Sequence, residues 1–326
     1  MNVSILGAGN MGTALAHVLA GQGHRVAAWD HFPEVVADIR MRHENPRFLP
    51  GVSLHPAIRA CDTAFECVAG AGLVIICVPS AFVGGILEPL VHSLEPDAIL
   101  LNVAKGFAPG TSETMPDFLR HLAPGHPCVH IAGPAIATEF ARGRITSVVM
   151  ASRSPAAARK VAEIFAGNIF LPSVTADLTG AALGGILKNI YAILLGCLER
   201  IGHNSRNLEA AVITACMTEM ANIAMAHGAE RETIFGLSGL GDLIATATSP
   251  DSHNRKFGQS LASGTANDNP GWLPEGVRVC EPICSIAAEK QIPAPMAEWV
   301  LKSISGEAPT LESLIHTLRI ANVPLG

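Results

Sequence analysis

The sequence predicts an α/β domain built on a doubly wound parallel sheet, followed by an all-α domain. With 326 residues the chain is longer than an ordinary single domain. Its first half alternates short apolar runs with helical stretches, and after about residue 177 only long helical patterns follow. We therefore predict a first domain over residues 1–178 and a second over residues 179–326.

Continuous apolar runs predict the strands of the first domain. Such runs are typical of parallel strands that are covered on both faces. The predicted strands are residues 1–6, 25–29, 73–78, 98–103, 128–132, 145–151 and 169–172. The helical spacing between them predicts helices over residues 11–20, 33–42, 81–93, 112–121 and 155–166.

The second domain is predicted to consist of helices joined by short loops. The helical patterns cover residues 179–198, 208–227, 254–262, 277–289, 294–303 and 309–315. Gly228 is expected to stop the second of these helices, since glycine is preferred just past a helix end. The polar, glycine-containing run 263–271 is expected to be a mobile loop.

Composition narrows the functional classes. With 22 basic and 28 acidic residues the formal net charge is −6, which argues against a nucleic-acid partner. The eight cysteines lack the Cys-x-x-Cys spacing of zinc or redox sites, and the thirteen histidines show no ligand spacing, so we expect no metal. The most apolar stretch, residues 180–198, carries Lys188 and Asn189 at its centre, so we predict no membrane span. We interpret the cysteines as small buried apolar residues in a reducing cytoplasm, which predicts a cytoplasmic location.

A glycine-rich turn follows the first predicted strand. Its residues, Gly7-Ala8-Gly9-Asn10-Met11-Gly12, have the spacing Gly-x-Gly-x-x-Gly. In such a turn the first glycine permits a tight bend, the second lets a pyrophosphate approach the backbone, and the third allows close packing of helix on strand. The free amides of the helix N-terminus then bind the anion. The position of this motif, between a strand and a helix, predicts a Rossmann-like dinucleotide-binding domain.

Asp30 directly follows the second predicted strand, 23 residues after Gly7. A carboxylate there accepts hydrogen bonds from the adenosine ribose and repels a 2′-phosphate, which favours NAD over NADP. The alternative is that Asp30 only caps the next helix. The neighbouring His31 is expected to stack beside the adenine or to contact a phosphate, so NADP remains open as the cofactor.

Lys188 lies in the middle of an otherwise apolar helical pattern. A buried lysine needs a partner, and because burial lowers its pKa it can exchange a proton with an alcohol or carbonyl near neutral pH. Asp242 lies in a second apolar, glycine-rich stretch and is the predicted partner. The alternatives are a lysine that extends along the surface into solvent and an aspartate that serves only as a helix N-cap.

Along nearly its whole length the chain resembles the bacterial NAD(P)-dependent glycerol-3-phosphate dehydrogenases. The matching stretches are GAGNMGTALA from Gly7, AKG from Ala104, GPAIATE from Gly133, GGILKN from Gly184, GLSGLGDL from Gly236, SHNRKFG from Ser252 and PEG from Pro274. Their order and spacing together are far more specific than any one of them.

The resemblance implies reversible hydride transfer between NAD(P) and C2 of glycerol 3-phosphate or dihydroxyacetone phosphate, in the supply of phospholipid precursors. It makes Lys188 the proton donor and acceptor, with Lys105 and Asp242 completing the catalytic cluster. The positions implied at the cofactor are Asn10, Met11, His31, Lys105, Ala137 and Glu275. Those implied at the small phosphorylated substrate are Lys105, Gly133, Ala135, Lys188, Asn189, Asp242, Ser252, His253 and Asn254.

The chain departs from the family pattern around the substrate. His253 stands where the family usually has arginine, the residue that grips a phosphate with a planar, permanently charged fork. Ala135 replaces a serine or threonine, Ala215 replaces an arginine, and the stretch 200–207 is one residue longer than usual. Ala137 follows an isoleucine where phenylalanine is common.

Three interpretations follow from these departures. In the first, Arg255, Lys256 or Arg206 replaces the missing clamp and the substrate is unchanged. In the second, the same chemistry acts on another phosphorylated or carboxylated polyol or ketose. In the third, the protein is a cofactor-binding sensor without turnover. A homodimer is compatible with the long apolar helices of the second domain.

Overall fold

The computed structural model describes residues 1–266 and 274–321. The chain divides into two compact units, residues 1–178 and residues 179–326. Most of the predicted loop over residues 263–271 lies outside the described residues.

The first unit is built on an eight-stranded sheet with the strand order β3-β2-β1-β4-β5-β6-β7-β8. Its strands are β1 (Asn2–Leu6), β2 (Arg25–Trp29), β3 (Arg59–Ala60), β4 (Leu73–Ile76), β5 (Ile99–Asn102), β6 (Cys128–Ala132), β7 (Thr146–Ala151) and β8 (Phe170–Thr175). The strands from β3 to β6 are parallel, and the chain crosses over between β3 and β4 as expected of a doubly wound fold.

Helices cover the two faces of this sheet. They are α1 (Asn10–Gly21), α2 (Pro33–Arg42), α3 (Ala64–Val68), α4 (Ser80–Leu87), α5 (Met115–Leu122), α6 (Ala137–Phe140) and α7 (Pro155–Phe165). Successive side chains of a strand point to opposite faces, so Ile75 belongs to one apolar core cluster and Val74 and Ile76 to the other. This two-sided burial explains why the central strands have continuous apolar sequences, and the predicted α/β class is confirmed.

One strand departs from the parallel direction predicted for the sheet. β7 is antiparallel to β6, and β8 is parallel to β7. The connection from β6 to β7 contains only the four-residue helix α6, whereas a parallel return needs a crossover that usually carries a longer helix. The sequence pattern also misses β3, which is two residues long and has no apolar run.

The second unit is helical, as predicted. Its helices are α8 (Leu178–Ile201), α9 (Arg206–Met225), α10 (Arg231–Phe235), α11 (Asp242–Thr248), α12 (His253–Ala262), α13 (Glu275–Glu289), α14 (Pro295–Ile304) and α15 (Leu311–Ala321). A π-helical turn, Leu237–Gly241, connects α10 to α11. Over most of its length α8 is buried on every side, which explains why it is apolar all round.

Helices α8 and α9 are both long and apolar enough to span a membrane by length and composition alone. The apolar window of α8 is completely buried inside the fold and that of α9 is half buried. The core helices of soluble domains meet the same criterion, so these two helices are weak indicators of a membrane.

Candidate active site

The glycine turn lies at the carboxyl end of β1 and leads directly into α1. Gly7 has φ +97°, a left-handed value that favours glycine. A Cβ on Gly12 would lie 2.0 Å from the carbonyl oxygen of Gly7, so only glycine allows the helix to start this close to the turn. The amides of Gly7 and Ala8 donate to the Trp29 carbonyl at 2.9 and 3.1 Å, which holds the turn against β2.

The start of α1 has the features of an anion site. Its N-cap residue is Gly9, which offers no side chain to the first amides of the helix. A Cβ on Gly9 would meet no atom within 4 Å, so there is open space beside this residue. A pyrophosphate fits such a position because the amides point at it and the helix dipole favours negative charge. Asn10 and the half-buried Met11 are the first two residues of the helix.

Asp30 is buried where β2 ends. Its Oδ1 accepts the amide of Phe32 at 3.0 Å, and Phe32, not Asp30, is the N-cap residue of α2. Burial raises the pKa of the Asp30 carboxyl, while the Phe32 amide and the nearby charges of His31 and Arg47 oppose that rise. The exposed His31 packs edge-on against Phe32. Asp30 therefore supports the start of α2 and still holds a carboxylate in the position typical of a ribose acceptor.

Two loops at the carboxyl ends of β5 and β6 carry further predicted site residues. Lys105 is half-buried in the loop after β5. Gly133, with φ +99°, follows β6, and the hydroxyl of Thr146 donates to the Pro134 carbonyl at 2.6 Å. Ala135 is half-buried in this loop, and Ala137 is the buried first residue of α6.

A buried polar pair that sequence reasoning missed lies beneath these loops. Asn102 and His130 are paired in register on β5 and β6, and both side chains are buried. The Asn102 amide donates to the Ala104 carbonyl at 2.9 Å and contacts His130 Nδ1 at 2.8 Å. Asn102 thus fixes the backbone immediately before Lys105. An asparagine inside an apolar strand is the signal that could have revealed it, because a buried amide needs partners.

In the second unit the predicted lysine and aspartate form a buried ion pair. Lys188 Nζ lies 2.6 Å from Asp242 Oδ1, and the two side chains are 8% and 4% exposed. Nζ also donates to the hydroxyl of Thr246 at 2.6 Å. Sequence reasoning missed Thr246, although it lies four residues after Asp242 and therefore on the same face of α11.

The glycines beside Lys188 bring its helix close to the π-helical turn that precedes Asp242. A Cβ on Gly184 would lie 2.6 Å from the carbonyl oxygen of Ser238. A larger residue at this position would push the π-helical turn away from α8. Asp242, the residue that directly follows the turn, would move with it. The close approach therefore sets the short distance between Lys188 and Asp242.

Asn189, the residue after Lys188, organises a second polar cluster. Its amide donates to Glu275 Oε2 at 3.1 Å, and its Oδ1 accepts from the Asn254 amide at 2.9 Å. The buried Asn254 in turn accepts the Gly276 amide at 2.9 Å. Helices α8, α12 and α13 are thus joined beside Lys188, and Glu275 belongs to this cluster.

The predicted substrate residues at the start of α12 divide into two groups. Ser252 is the N-cap residue and accepts the Arg255 amide, and His253 is the first residue of the helix. Partial burial and the nearby Lys256 lower the pKa of His253. Arg255 instead donates two hydrogen bonds in a bidentate contact to the Glu199 carboxylate on α8, at 2.5 and 2.7 Å. Arg206, the other candidate clamp, is exposed and paired with Glu209.

Among the described residues, no cluster of histidine, cysteine, aspartate and glutamate side chains could hold a metal ion. A glycine turn on a doubly wound sheet, followed in the chain by a helical unit with a buried lysine–carboxylate pair, is typical of the two-domain dinucleotide-dependent dehydrogenases.

The family assignment follows from comparison with known proteins. The family model for the "NAD-dependent glycerol-3-phosphate dehydrogenase N-terminus" matches residues 2–158, and the model for the C-terminus of the same family matches residues 177–314. The chain therefore belongs to the NAD-dependent glycerol-3-phosphate dehydrogenase family, and the resemblance inferred from its motifs is confirmed.

Individual relatives agree with this assignment over nearly their full length. A glycerol-3-phosphate dehydrogenase [NAD(P)+] of Methylobacterium radiotolerans is 37% identical over 94% of this chain and 92% of its own. One from Chlorobium phaeobacteroides is 34% identical, with 98% and 97% covered. The crystal structure of glycerol-3-phosphate dehydrogenase from Coxiella burnetii superimposes with a TM-score of 0.88 at 28% identity and covers 99% of both chains.

Proposed function

We propose that this protein catalyses reversible hydride transfer between NAD(P) and C2 of glycerol 3-phosphate or dihydroxyacetone phosphate. The observation that carries the proposal is the buried ammonium of Lys188, held 2.6 Å from both Asp242 and Thr246. The relatives that bear this enzyme's name match the chain from end to end, which favours this substrate over another polyol or ketose and over a sensor without turnover.

In this proposal residues 1–178 bind the dinucleotide and residues 179–326 supply the proton-transfer group. When bound, the cofactor donates a hydride to the C2 carbonyl carbon or accepts one from the C2 alcohol. Lys188 donates the proton to the C2 oxygen during reduction and takes it back during oxidation. Asp242 and Thr246 fix the direction of the Nζ atom, so little reorganisation is needed at the moment of transfer.

We propose roles for the surrounding residues on the same basis. Lys105, anchored through Asn102, would add a second positive charge at the substrate. Gly133 and Ala135 would line the substrate site, with Ala137 at the cofactor. Asn189 and Asn254 would hold α12 beside Lys188, with Glu275 completing the cluster.

The clamp for the substrate phosphate is proposed to consist of Ser252, His253 and the amides at the start of α12. Lys256 lies three residues after His253, on the same face of the helix, and supplies a permanent positive charge. Arg255 was also a predicted substrate residue, but its guanidinium is held by Glu199, so Lys256 is the better candidate.

The preferred cofactor is proposed to be NAD. Asp30 is buried at the end of β2, where a carboxylate accepts the ribose hydroxyls and repels a 2′-phosphate. We further propose a cytoplasmic enzyme without a membrane span or a nucleic-acid partner, since the chain is acidic and the apolar window of α8 is fully buried. A homodimer is proposed from the half-exposed apolar helix α9, and sedimentation of the purified protein tests it.

The decisive experiment replaces Lys188 by methionine and follows NADH oxidation with dihydroxyacetone phosphate. We expect kcat to fall by at least about a thousandfold, because proton transfer and charge stabilisation are both lost. Binding of NADH, measured by fluorescence, should stay within about twofold. If the variant keeps more than about a tenth of the wild-type kcat, Lys188 is not the proton carrier and the proposed chemistry is wrong.

A further inference from the structure

An arginine and two aromatic rings form a cluster beside Asp30. The guanidinium carbon of Arg47 lies 3.8 Å from the ring centre of Phe32 and 5.1 Å from that of Phe48. The rings of Phe32 and Phe48 are themselves 6.2 Å apart. Phe32 follows Asp30 by two residues and donates its amide to the Asp30 carboxylate. The cluster therefore lies next to the predicted ribose acceptor.

The segment that carries Arg47 is attached to the glycine turn by side-chain hydrogen bonds. The buried Asn45 amide donates to the Ala8 carbonyl and to the Thr13 hydroxyl, each at 2.8 Å. Asn10, the first residue of α1, donates to the Phe48 carbonyl, also at 2.8 Å. Because both ends of the segment are fixed to the turn that would hold the pyrophosphate, Arg47 has a defined position relative to the adenosine end of the cofactor.

Arg47 is not committed to a strong partner. It forms an ion pair with Glu34 at 2.5 Å, but the two side chains are 45% and 58% exposed. Exposed pairs of this kind contribute little, and a phosphate competes well for a guanidinium because it accepts two parallel hydrogen bonds. Removing the glutamate would leave a stacked, preoriented arginine beside the ribose position. An arginine there accommodates the 2′-phosphate of NADP.

We propose that Glu34 and Arg47 set the cofactor preference together with Asp30. Arg47 is the group that takes the 2′-phosphate of NADP, and Glu34 competes with that phosphate for the guanidinium, so that the unphosphorylated cofactor is favoured. This inference rests on the proposed function only in placing a nicotinamide dinucleotide at the glycine turn. It explains how one site can discriminate against NADP and still admit it.

The test measures binding of fragments and does not depend on turnover. Adenosine 2′,5′-bisphosphate carries the 2′-phosphate and adenosine 5′-monophosphate lacks it, and both can be titrated by calorimetry against the full chain. In Glu34→Gln we expect the bisphosphate to bind about three- to fivefold more tightly, with the monophosphate within about twofold of wild type. In Arg47→Gln the bisphosphate should bind about five- to tenfold more weakly.

Two further variants separate this inference from a general charge effect. Glu66 pairs with Arg59 at 2.7 Å and is 48% exposed, so Glu66→Gln removes the same charge from a similar pair elsewhere in the unit. It should leave both affinities unchanged. The double variant Glu34→Gln/Arg47→Gln should lose the gain seen with Glu34→Gln alone.

Each contrary result has a distinct meaning. A gain that persists without Arg47, or one that is equal for both fragments, would overturn the inference. An equal gain in Glu66→Gln would do the same. If the wild-type protein oxidises NADH with none of the substrates tested, the proposed function is contradicted instead. The fragment affinities would still test the inference about Glu34 and Arg47.

Discussion

The buried ion pair of Lys188 and Asp242 can be compared with an exposed pair of equal length in the same unit. Lys188 and Asp242 lie 2.6 Å apart with side chains 8% and 4% exposed. Arg206 and Glu209 also lie 2.6 Å apart, but their side chains are 87% and 37% exposed. The distances are the same, so a difference in energy between the two pairs reports burial.

The perturbation is Asp242→Asn, with Glu209→Gln as its control. Removing one partner of a buried pair leaves an uncompensated charge and costs about 3–5 kcal/mol, whereas an exposed pair contributes about 0–1 kcal/mol. We therefore expect Asp242→Asn to unfold at a clearly lower urea concentration than wild type and Glu209→Gln to unfold near it. In Lys188→Met/Asp242→Asn the buried charge is gone, and much of the lost stability should return.

The assay is urea unfolding followed by circular dichroism, with NADH oxidation measured in parallel. Asp242→Asn should also lower kcat by about a hundredfold or more, because the ammonium loses the group that orients it. If Asp242→Asn costs no more than Glu209→Gln, or if the double variant is less stable than Asp242→Asn, Lys188 is not a buried charge and the reasoning fails.

Three further predictions concern groups outside this pair. Burial raises the pKa of Glu219 to about 7 from 4.5. Its contribution to stability is therefore full below about pH 4.5 and is lost as the pH rises through 7. Between pH 5 and 8 the free energy of unfolding should fall by up to about 3 kcal/mol in wild type but not in Glu219→Gln. The pKa of His253 lies below 6.5, so the imidazole loses its positive charge as the pH rises through a value below 6.5. The KM for dihydroxyacetone phosphate should therefore rise with pH only below about 6.5. Because arginine stays charged, His253→Arg should lower that KM about five- to tenfold at pH 8. Asn102→Ala removes the support of the Ala104 carbonyl and should lower kcat/KM about tenfold, with a stability loss of about 1–3 kcal/mol.

Each of these predictions has its own control or contrary outcome. Parallel pH profiles for wild type and Glu219→Gln would show that Glu219 does not take up a proton on folding. A KM that changes between pH 7 and 8 would assign the titration to another group than His253. Ser152→Ala removes a buried hydroxyl that donates to the Cys128 carbonyl at 2.6 Å. It should cost similar stability and leave kcat/KM intact, so an equal loss of kcat/KM would make the Asn102 effect merely structural.

Local sequence was sufficient for most of the secondary structure and for the residues of the chemistry. The apolar runs at β1, β2 and β6 and the long pattern of α8 were placed within a few residues, because continuous apolarity reflects burial on both sides. The two-residue strand β3 and the short helices α3 and α6 were missed, since elements of one turn or two residues carry too little periodicity. The reversal of β7 was also missed, because strand direction depends on the path of the connection and not on the strand's own residues.

The candidate active site, like the secondary structure, could be predicted only in part from the sequence. The sequence alone pointed to Lys188 and Asp242, because a charged residue in an apolar stretch has to be paired. It could not show that Arg255 turns to Glu199 or that Thr246 completes the contact with Nζ. Those contacts depend on which helix faces are brought together.

By itself, the sequence determined the order of the two domains, the glycine turn, and the kinds of residue available for binding and proton transfer. These features are local: a turn, a helix start and a buried charge each leave a signature within a few neighbouring positions. Only the tertiary structure decided that Asn102 meets His130 on the neighbouring strand, that Glu34 pairs with Arg47 close to Asp30, and that Asn189 joins three helices. These pairs are separated along the chain, and side chains meet across such separations only after packing has chosen which faces touch.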